Sequence, residues 1–243
     1  MLNQVFAVAV RVLHQLARDR RFVAFTLIVP LLVIYMLDIF FESAQNPMIR
    51  PKEFIVPLGA FIVHFLTYLL CAIVLVRERT AHTLARMFVN GFERGAIIGG
   101  YIIAYSVLAT LQSLIVLFAL QAFFELNFDL GVMVLIFGII WMLAVISIAL
   151  GIFVSNFARN EGQIFPFIPL VILPSIFFSG LILPIDRLPE WASPLVYVAP
   201  LYYATEAIRG LTDNGGNISM WLGLPLYGVA VLALAMFTLR EQE

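Results

Sequence analysis

Long uncharged stretches separated by short clusters of charge set the pattern of this chain. Charge-free runs occupy 22–37, 54–76, 95–124, 130–158, 162–185 and 214–239, and a shorter one at 191–205 contains Pro194 and Pro200. A helix needs about 20 mostly apolar residues to cross a bilayer. The runs therefore predict six spans, at roughly 22–41, 54–76, 101–124, 131–154, 164–183 and 221–239. The stretch 184–220 then reads as one long connection carrying two short helical or re-entrant pieces. The predicted fold is an all-α polytopic membrane protein, with 1–243 forming a single transmembrane domain.

Two polar-apolar stretches flank these spans. In residues 1–20, Leu2, Phe6, Ala9, Leu13 and Leu16 recur at helical spacing, with Asn3, Arg11, His14 and Arg18 opposite. That is the pattern of an amphipathic helix lying on a membrane surface. Between the second and third spans runs RERTAHTLARMFVNGFERGAIIGG, from Arg77 to Gly100. Arg77, Glu78, Arg79, His82 and Arg86 supply a charged face, and Leu84, Met87 and Phe88 an apolar one. The segment 77–94 fits a short amphipathic helix projecting from the membrane, or an ordinary charged loop. Gly91, Gly95 and Gly99 fall every fourth residue and allow close helix approach, within one bundle or at a dimer seam.

Composition sharpens the class. The chain is 63% apolar and 12% charged, with a mean hydropathy of +1.02. Ordinary soluble domains carry about 25% charged residues. A net charge of −1 supplies no basic field for nucleic acid. The single cysteine, Cys71, excludes an intrachain disulfide, and His14, His64 and His82 are too dispersed for a metal-ligand motif. The sole lysine, Lys52, lies in RPKEF, so no GxxxxGK[ST] phosphate loop is encoded. No GxSxG or HExxH appears either. The reading is that this chain is no enzyme and holds no cofactor or metal of its own. Residues 1–21 are too polar for a signal peptide, so the first span is expected to be retained.

Arginine and lysine distribution orients the fold. Six spans place both termini on one side. Arg11, Arg18, Arg20, Arg21, Arg77, Arg79, Arg86, Arg94, Arg159 and Arg240 fall on that side, against Arg50, Lys52, Arg187 and Arg209 on the other. Both termini are therefore expected in the cytoplasm, with the protein in the cell membrane.

Polar residues inside the spans are few. His64, Thr67, Tyr68 and Cys71 share one face of the second span. That face could line a substrate path or a subunit seam, or His64 could make one interhelical hydrogen bond. Span five carries Pro166, Pro169 and Pro174 before Ser179 and Gly180, which predicts a bent or broken helix. There is no mid-membrane charge relay of the kind ion-coupled carriers use. Energy for pumping would have to come from elsewhere.

Three stretches together resemble the ABC-2 family, the permease subunits of ATP-driven exporters. Arg77-Glu78 followed by Thr83-Leu84, with Tyr105 and Leu111-Gln112 beyond, is similar to the family pattern RE..GTLE.L...P. His82 and Ala85 stand where glycine and glutamate are usual, and Gly91 or Phe92 falls near the usual proline. Gly151 to Gln163, GIFVSNFARNEGQ, resembles the exit of span four. Pro174, Ser179-Gly180, Pro184, Leu188-Pro189, Pro200-Leu201, Tyr203, Ala207 and Arg209 resemble the family's P…SG…P…LP…P..Y…R signature. The likeness covers roughly 54–212.

The resemblance implies a dimeric membrane path, formed with a second copy or a homologue. A separate ATPase subunit, two copies per complex, would bind ATP and magnesium. Residues 1–20 would be the interfacial connecting helix, and 184–212 the outer re-entrant region. The segment 77–94 would be the coupling helix, with Arg77, Glu78, Arg79, Thr83 and Leu84 as its contact with the ATPase. Candidate substrate-path residues are His64, Thr67, Tyr68, Phe177, Phe178 and Ser179. The expected activity is export of an amphiphilic, drug-like or lipid-like molecule. Polysaccharide or lipid-linked glycan export, and a non-transporting assembly role, are the alternatives.

Overall fold

The computed structural model describes residues 1–44, 51–212 and 217–238. Arg50 and Arg240, used above for orientation, lie outside them. Among the described residues the fold is entirely helical. Its α-helices are α1 (Leu2–Arg18), α2 (Arg20–Ala44), α3 (Pro51–Thr80), α4 (Thr83–Val89), α5 (Arg94–Phe124), α6 (Leu130–Ser155), α7 (Phe167–Phe177), α8 (Pro200–Thr212) and α9 (Gly223–Thr238). Five stretches are long and apolar enough to cross a membrane: Phe22–Ser43, Phe54–Thr80, Arg94–Phe124, Leu130–Ser155 and Ile218–Thr238.

Helix α6 is the hub. It carries no charged residue and packs against α3, α5, α8 and α9. Small residues permit the tightest seam: a Cβ on Gly151 would come 2.8 Å from the Tyr68 carbonyl oxygen and 3.0 Å from the Ala72 amide. Backbone therefore meets backbone where α3 crosses α6. Helix α2 is peripheral and leans on α5. Its Phe25, Ile28, Leu32, Met36 and Phe40 are exposed, while Thr26 and Ile34 are buried. An exposed apolar surface of this extent suits lipid or a second subunit, not water.

The elbow between α1 and α2 is closed by Asp19. Its amide donates to the Gln15 and Leu16 carbonyls, ending α1, while its Oδ1 accepts from the Phe22 amide at 3.0 Å, beginning α2. Helix α1 then lies along the start of α5. Its buried face is Val8, Ala9, Val12 and Leu16, whereas Leu2 and Phe6 point outward. The apolar side of α1 thus serves two neighbours. A Cβ on Gly100 would meet the Val5 carbonyl oxygen at 2.9 Å, and Gly99 and Gly95 also face α1. Of the glycine repeat, Gly95 and Gly99 face the first residues of this same chain, whereas a Cβ on Gly91 would meet nothing within 4 Å and that glycine serves the turn after α4.

The expected span at 164–183 is realised as a 3₁₀ turn at Glu161–Ile164 followed by α7, an 11-residue helix. Such a helix is about 16 Å long, about half of a ~30 Å hydrocarbon core. Pro169 sits in its first turn and Pro174 in its interior, where a proline removes a donor and crowds the preceding turn. Beyond Phe178 the chain turns at Gly180, whose φ of 77° suits glycine. The connection from Pro184 is two 3₁₀ turns, Ile185–Arg187 and Ser193–Val198, and then α8.

Candidate functional site

The polar concentration expected at 77–94 forms one built unit. Helix α3 ends as His82 adopts a left-handed φ of 56°, its amide donating to the Arg79 carbonyl at 2.9 Å. The short α4 follows, with Leu84 and Met87 turned inward and Arg86 and Val89 outward, Val89 being 89% exposed. It stops in a Schellman arrangement: the Phe92 amide donates to the Met87 carbonyl, the Gly91 amide to Phe88, and Gly91 takes a φ of 79°. Gln4 of α1 holds that turn, donating to the Gly91 carbonyl at 3.0 Å and accepting from the Glu93 amide at 3.3 Å.

The three charges ending α3 point in different directions. Arg77 is exposed, its Nε 3.2 Å from Glu161 Oε1 and its Nη1 4.0 Å from Asp19 Oδ2. Glu78 is only 3% exposed. It pairs with Arg11 at 3.2 Å, and Arg11 also donates to the Tyr101 hydroxyl at 2.7 Å. The ion pair thus joins α1, α3 and α5. Arg79 reaches the far end of α6, donating to the Ser155 and Ala158 carbonyls and, at 2.9 Å, to Asn156 Oδ1. The Asn156 amide in turn donates to Thr238 Oγ1 at 2.9 Å and to the Ala235 carbonyl at 3.3 Å on α9. A helix C-terminus carries unpaired carbonyls and partial negative charge, so a guanidinium is well placed there.

Two adjacent residues therefore lock the root of α4 to both flanks of the bundle. Of the expected contact set, Arg77 faces outward, Thr83 is half-buried, and Glu78, Arg79 and Leu84 work inside the protein. The pattern gives Gln4 no place, puts Arg11 only on the polar face of 1–20, and holds Asn156 only within the 151–163 motif. The signal for the Arg11 link is a cation in α1 and an acidic residue at the end of α3. The span-four exit motif is a local cap: Asn160 Oδ1 accepts from the Gln163 amide, and Gln163 Oε1 from the Arg159 amide.

The face expected to carry substrate is closed within the chain. His64 is fully buried, with Nδ1 2.7 Å from Ser147 Oγ on α6 and Nε2 3.4 Å from Ser175 Oγ on α7. Thr67 donates to Gln112 Oε1 at 3.0 Å, Tyr68 to the Phe167 carbonyl at 3.3 Å, and Cys71 lies on the Ile148 carbonyl. Ser179 is buried and caps its own turn, while Phe177 is exposed and Phe178 half-exposed. Leu58, Phe61, Phe65 and Leu69, with Phe54 and Ile73, are half-exposed on α3, an apolar stripe in which Phe61 and Phe65 stack at 6.2 Å.

At the opposite end the signature residues converge. Arg209 Nη2 donates to the Gly180 carbonyl at 2.9 Å, pinning α8 to the turn after α7, with Glu206 3.9 Å away. Pro200 opens α8, and Pro184 and Pro189 frame the preceding turns. Tyr203 donates to the Tyr197 carbonyl and Tyr227 to Val198. Burial raises the Tyr202 phenol above its usual pKa, with Glu206 nearby adding to the shift. Among the described residues no group of three or more His, Cys, Asp or Glu could hold a metal ion.

This geometry agrees with comparisons to known proteins. The model of the ABC-2 type transporter family matches residues 3–212. The "Probable doxorubicin resistance ABC transporter permease protein DrrC" of Mycobacterium tuberculosis (strain CDC 1551) is 27% identical over 227 residues, covering 91% of this chain and 81% of that protein. The "Probable multidrug ABC transporter permease YbhR" of Escherichia coli K12 is 25% identical over 165 residues, or 68% of this chain and 45% of that one. The "Linearmycin resistance permease protein LnrN" of Bacillus subtilis is 23% identical over 159 residues, or 65% and 41%. With its family match running through α1, the α3–α4 junction and the α7–α8 region, this chain belongs to the ABC-2 type transporter family of membrane permeases.

Proposed function

We propose that the chain is the passive permease of an exporter whose ATP is hydrolysed by a separate subunit, two copies per complex, with magnesium bound there. The observation that carries this reading is the α3–α4 junction. A short helix projects at the charged end of the bundle, and its root is fastened to α1 and α5 through Glu78 and to α6 and α9 through Arg79. A push on α4 would thus move several helices together. Coupling of this kind transmits only the difference in partner affinity between two states. The exposed residues that would meet the ATPase are His82, Arg86 and Val89, with Thr83 beside them and Arg77 already paired with Glu161 and Asp19. Glu78, Arg79 and Leu84 position them.

The arginine distribution supports a cytoplasmic side for both termini and α4, a reading in which the broken segment 161–183 acts as the sixth span. A dimer with a second copy or a homologue would bring α2, the exposed side of α7 and the half-exposed stripe of α3 to a shared path. Phe61, Phe65 and Phe177 are the aromatic groups best placed to touch cargo there. Apolar walls without charge suit an amphiphilic, drug-like or lipid-like molecule, and the three relatives are named for doxorubicin resistance, multidrug transport and linearmycin resistance. The stacked Phe61–Phe65 pair also suits sugar rings, which supports glycan export as the second reading. The test is co-purification with an ATPase subunit in equal amounts, followed by measurement of ATP hydrolysis in lipid with amphiphilic drugs or lipid-linked glycans. Stimulation by drugs supports the first reading and stimulation by glycans the second. Failure to retain any ATPase overturns both.

A further inference from the structure

Two small cavities lie end to end between the α1–α2 elbow and the α3–α5 pair. The outer one, about 20 Å³, is lined by Gln15, Asp19 and Arg77 at its rim and by Val12, Phe22 and Tyr105 deeper in. The inner one, about 10 Å³, is lined by Thr26, Thr67, Tyr105, Leu108 and Gln112. The Tyr105 side chain borders both. Tyr105 and Gln112 are 2% and 1% exposed, yet the Tyr105 hydroxyl and Gln112 Nε2 have no protein hydrogen-bond partner.

The chemistry of the lining selects the ligand. The inner cavity offers two unspent donors, Gln112 Nε2–H and the Tyr105 hydroxyl. It also offers acceptor lone pairs on Thr26, whose proton goes to the Phe22 carbonyl, and on Thr67, whose proton goes to Gln112 Oε1. No charged side chain lines it, so an ion would be left without compensation. A water needs about 10–15 Å³ and two to four polar partners, and both conditions are met. We propose that Tyr105 and Gln112 hold a short file of about two waters, one in each cavity, between the Asp19–Arg77 rim and Thr67. Thr67 stands ten residues along α3 from Arg77, about 15 Å, which is about mid-depth in a ~30 Å hydrocarbon core.

The file makes the α2 seam wet, whereas the α3–α6 seam at Gly151 is backbone against backbone. Water-bridged groups exchange partners at little cost. Peripheral α2 can therefore shift against α3 and α5 while the hub stays fixed.

The experiment uses the full chain in lipid nanodiscs. Solid-state NMR follows magnetisation transfer from water to the Gln112 Nε2 protons, with the Trp141 indole N–H, which is bonded to Thr110, as the control. Transfer to Gln112 at least about tenfold faster than to Trp141 supports the file, because it needs a water within hydrogen-bond distance. Transfer no faster than the control overturns it. Tyr105→Phe gives an independent readout. It removes only the hydroxyl, so Tm falls by about 2–4 °C if that hydroxyl is bonded to water. An unchanged or raised Tm means a dry, unsatisfied hydroxyl and overturns the proposal.

Discussion

The two ends of the bundle both rely on an arginine that holds backbone carbonyls, yet they are built differently. At the α4 end, Arg79 grips the close of α6 and passes the link through Asn156 to α9, while its neighbour Glu78 holds Arg11 and so α1 and α5. At the far end, Arg209 grips one carbonyl, that of Gly180, and the surrounding contacts are tyrosine rings and proline turns. The first arrangement distributes a displacement over five helices. The second is a local pin that keeps a short, proline-containing α7 against α8. On the proposed function, in which α4 takes a push and the opposite end opens, this asymmetry would supply a branched root at one end and a terminus whose parts can separate at the other.

The comparison breaks most severely at Arg11. Arg11→Ala leaves Glu78 buried with no cation. Breaking a buried pair costs about 3–5 kcal/mol, and with Arg11 partly exposed we expect about 2–4 kcal/mol in thermal or denaturant unfolding. Adding Glu78→Gln should recover part of that loss, because the orphan charge goes with it. A double mutant no more stable than Arg11→Ala would show that the pair is incidental. Arg79→Ala comes next. It strips the donor from two carbonyls and from Asn156, a loss of about 2–3 kcal/mol. It should also raise the ATP consumed per molecule exported, since α4 would then move without α6 and α9. Equal stoichiometry in the variant and the parent would remove Arg79 from the transmission path.

Arg209→Ala should cost less, about 1–2 kcal/mol, and hydrogen exchange should quicken at 178–185 while α4 and its neighbours stay protected. Faster exchange throughout the bundle would mean that the two ends are not independent. The smallest effect on folding is expected at Val89, which is 89% exposed. Val89→Glu should change stability by less than about 0.5 kcal/mol yet weaken ATPase binding at least tenfold in a pull-down titration. Undiminished binding would move the docking face off the tip of α4.

Much of this was legible in the sequence. Uncharged runs gave α2, α3, α5, α6 and α9 because a spanning helix leaves no choice of residue type over about 20 positions. The spacing of Leu84, Met87 and Phe88 against Arg86 allowed either α4 or an ordinary charged loop, and of the glycine repeat only Gly95 and Gly99 would set a Cβ against another segment. What the pattern could not show was where its charges point. Glu78, Arg79 and Arg11 read as a solvated face because periodicity records the side of a helix, not the helix that covers it. The same limit explains α1, where Val8 is buried against Gly100 and Val12 is buried too, while Leu2 and Phe6 face outward. Three prolines signalled a break in 164–183, but the length of the surviving helix depends on Gly180 and on Arg209, 29 residues later. His64 was equally ambiguous. Its partners Ser147 and Ser175 lie on two other helices, and only their packing turns a path candidate into a buried fastener.

The central claim is that this chain is a gate without a motor, worked through α4. It is tested most directly by reconstituting the purified chain in sealed vesicles, alone and with its ATPase subunit, and following uphill accumulation of an amphiphilic drug. Accumulation should require the ATPase and ATP together and should vanish with Val89→Glu. Uphill movement by the chain alone would contradict the account.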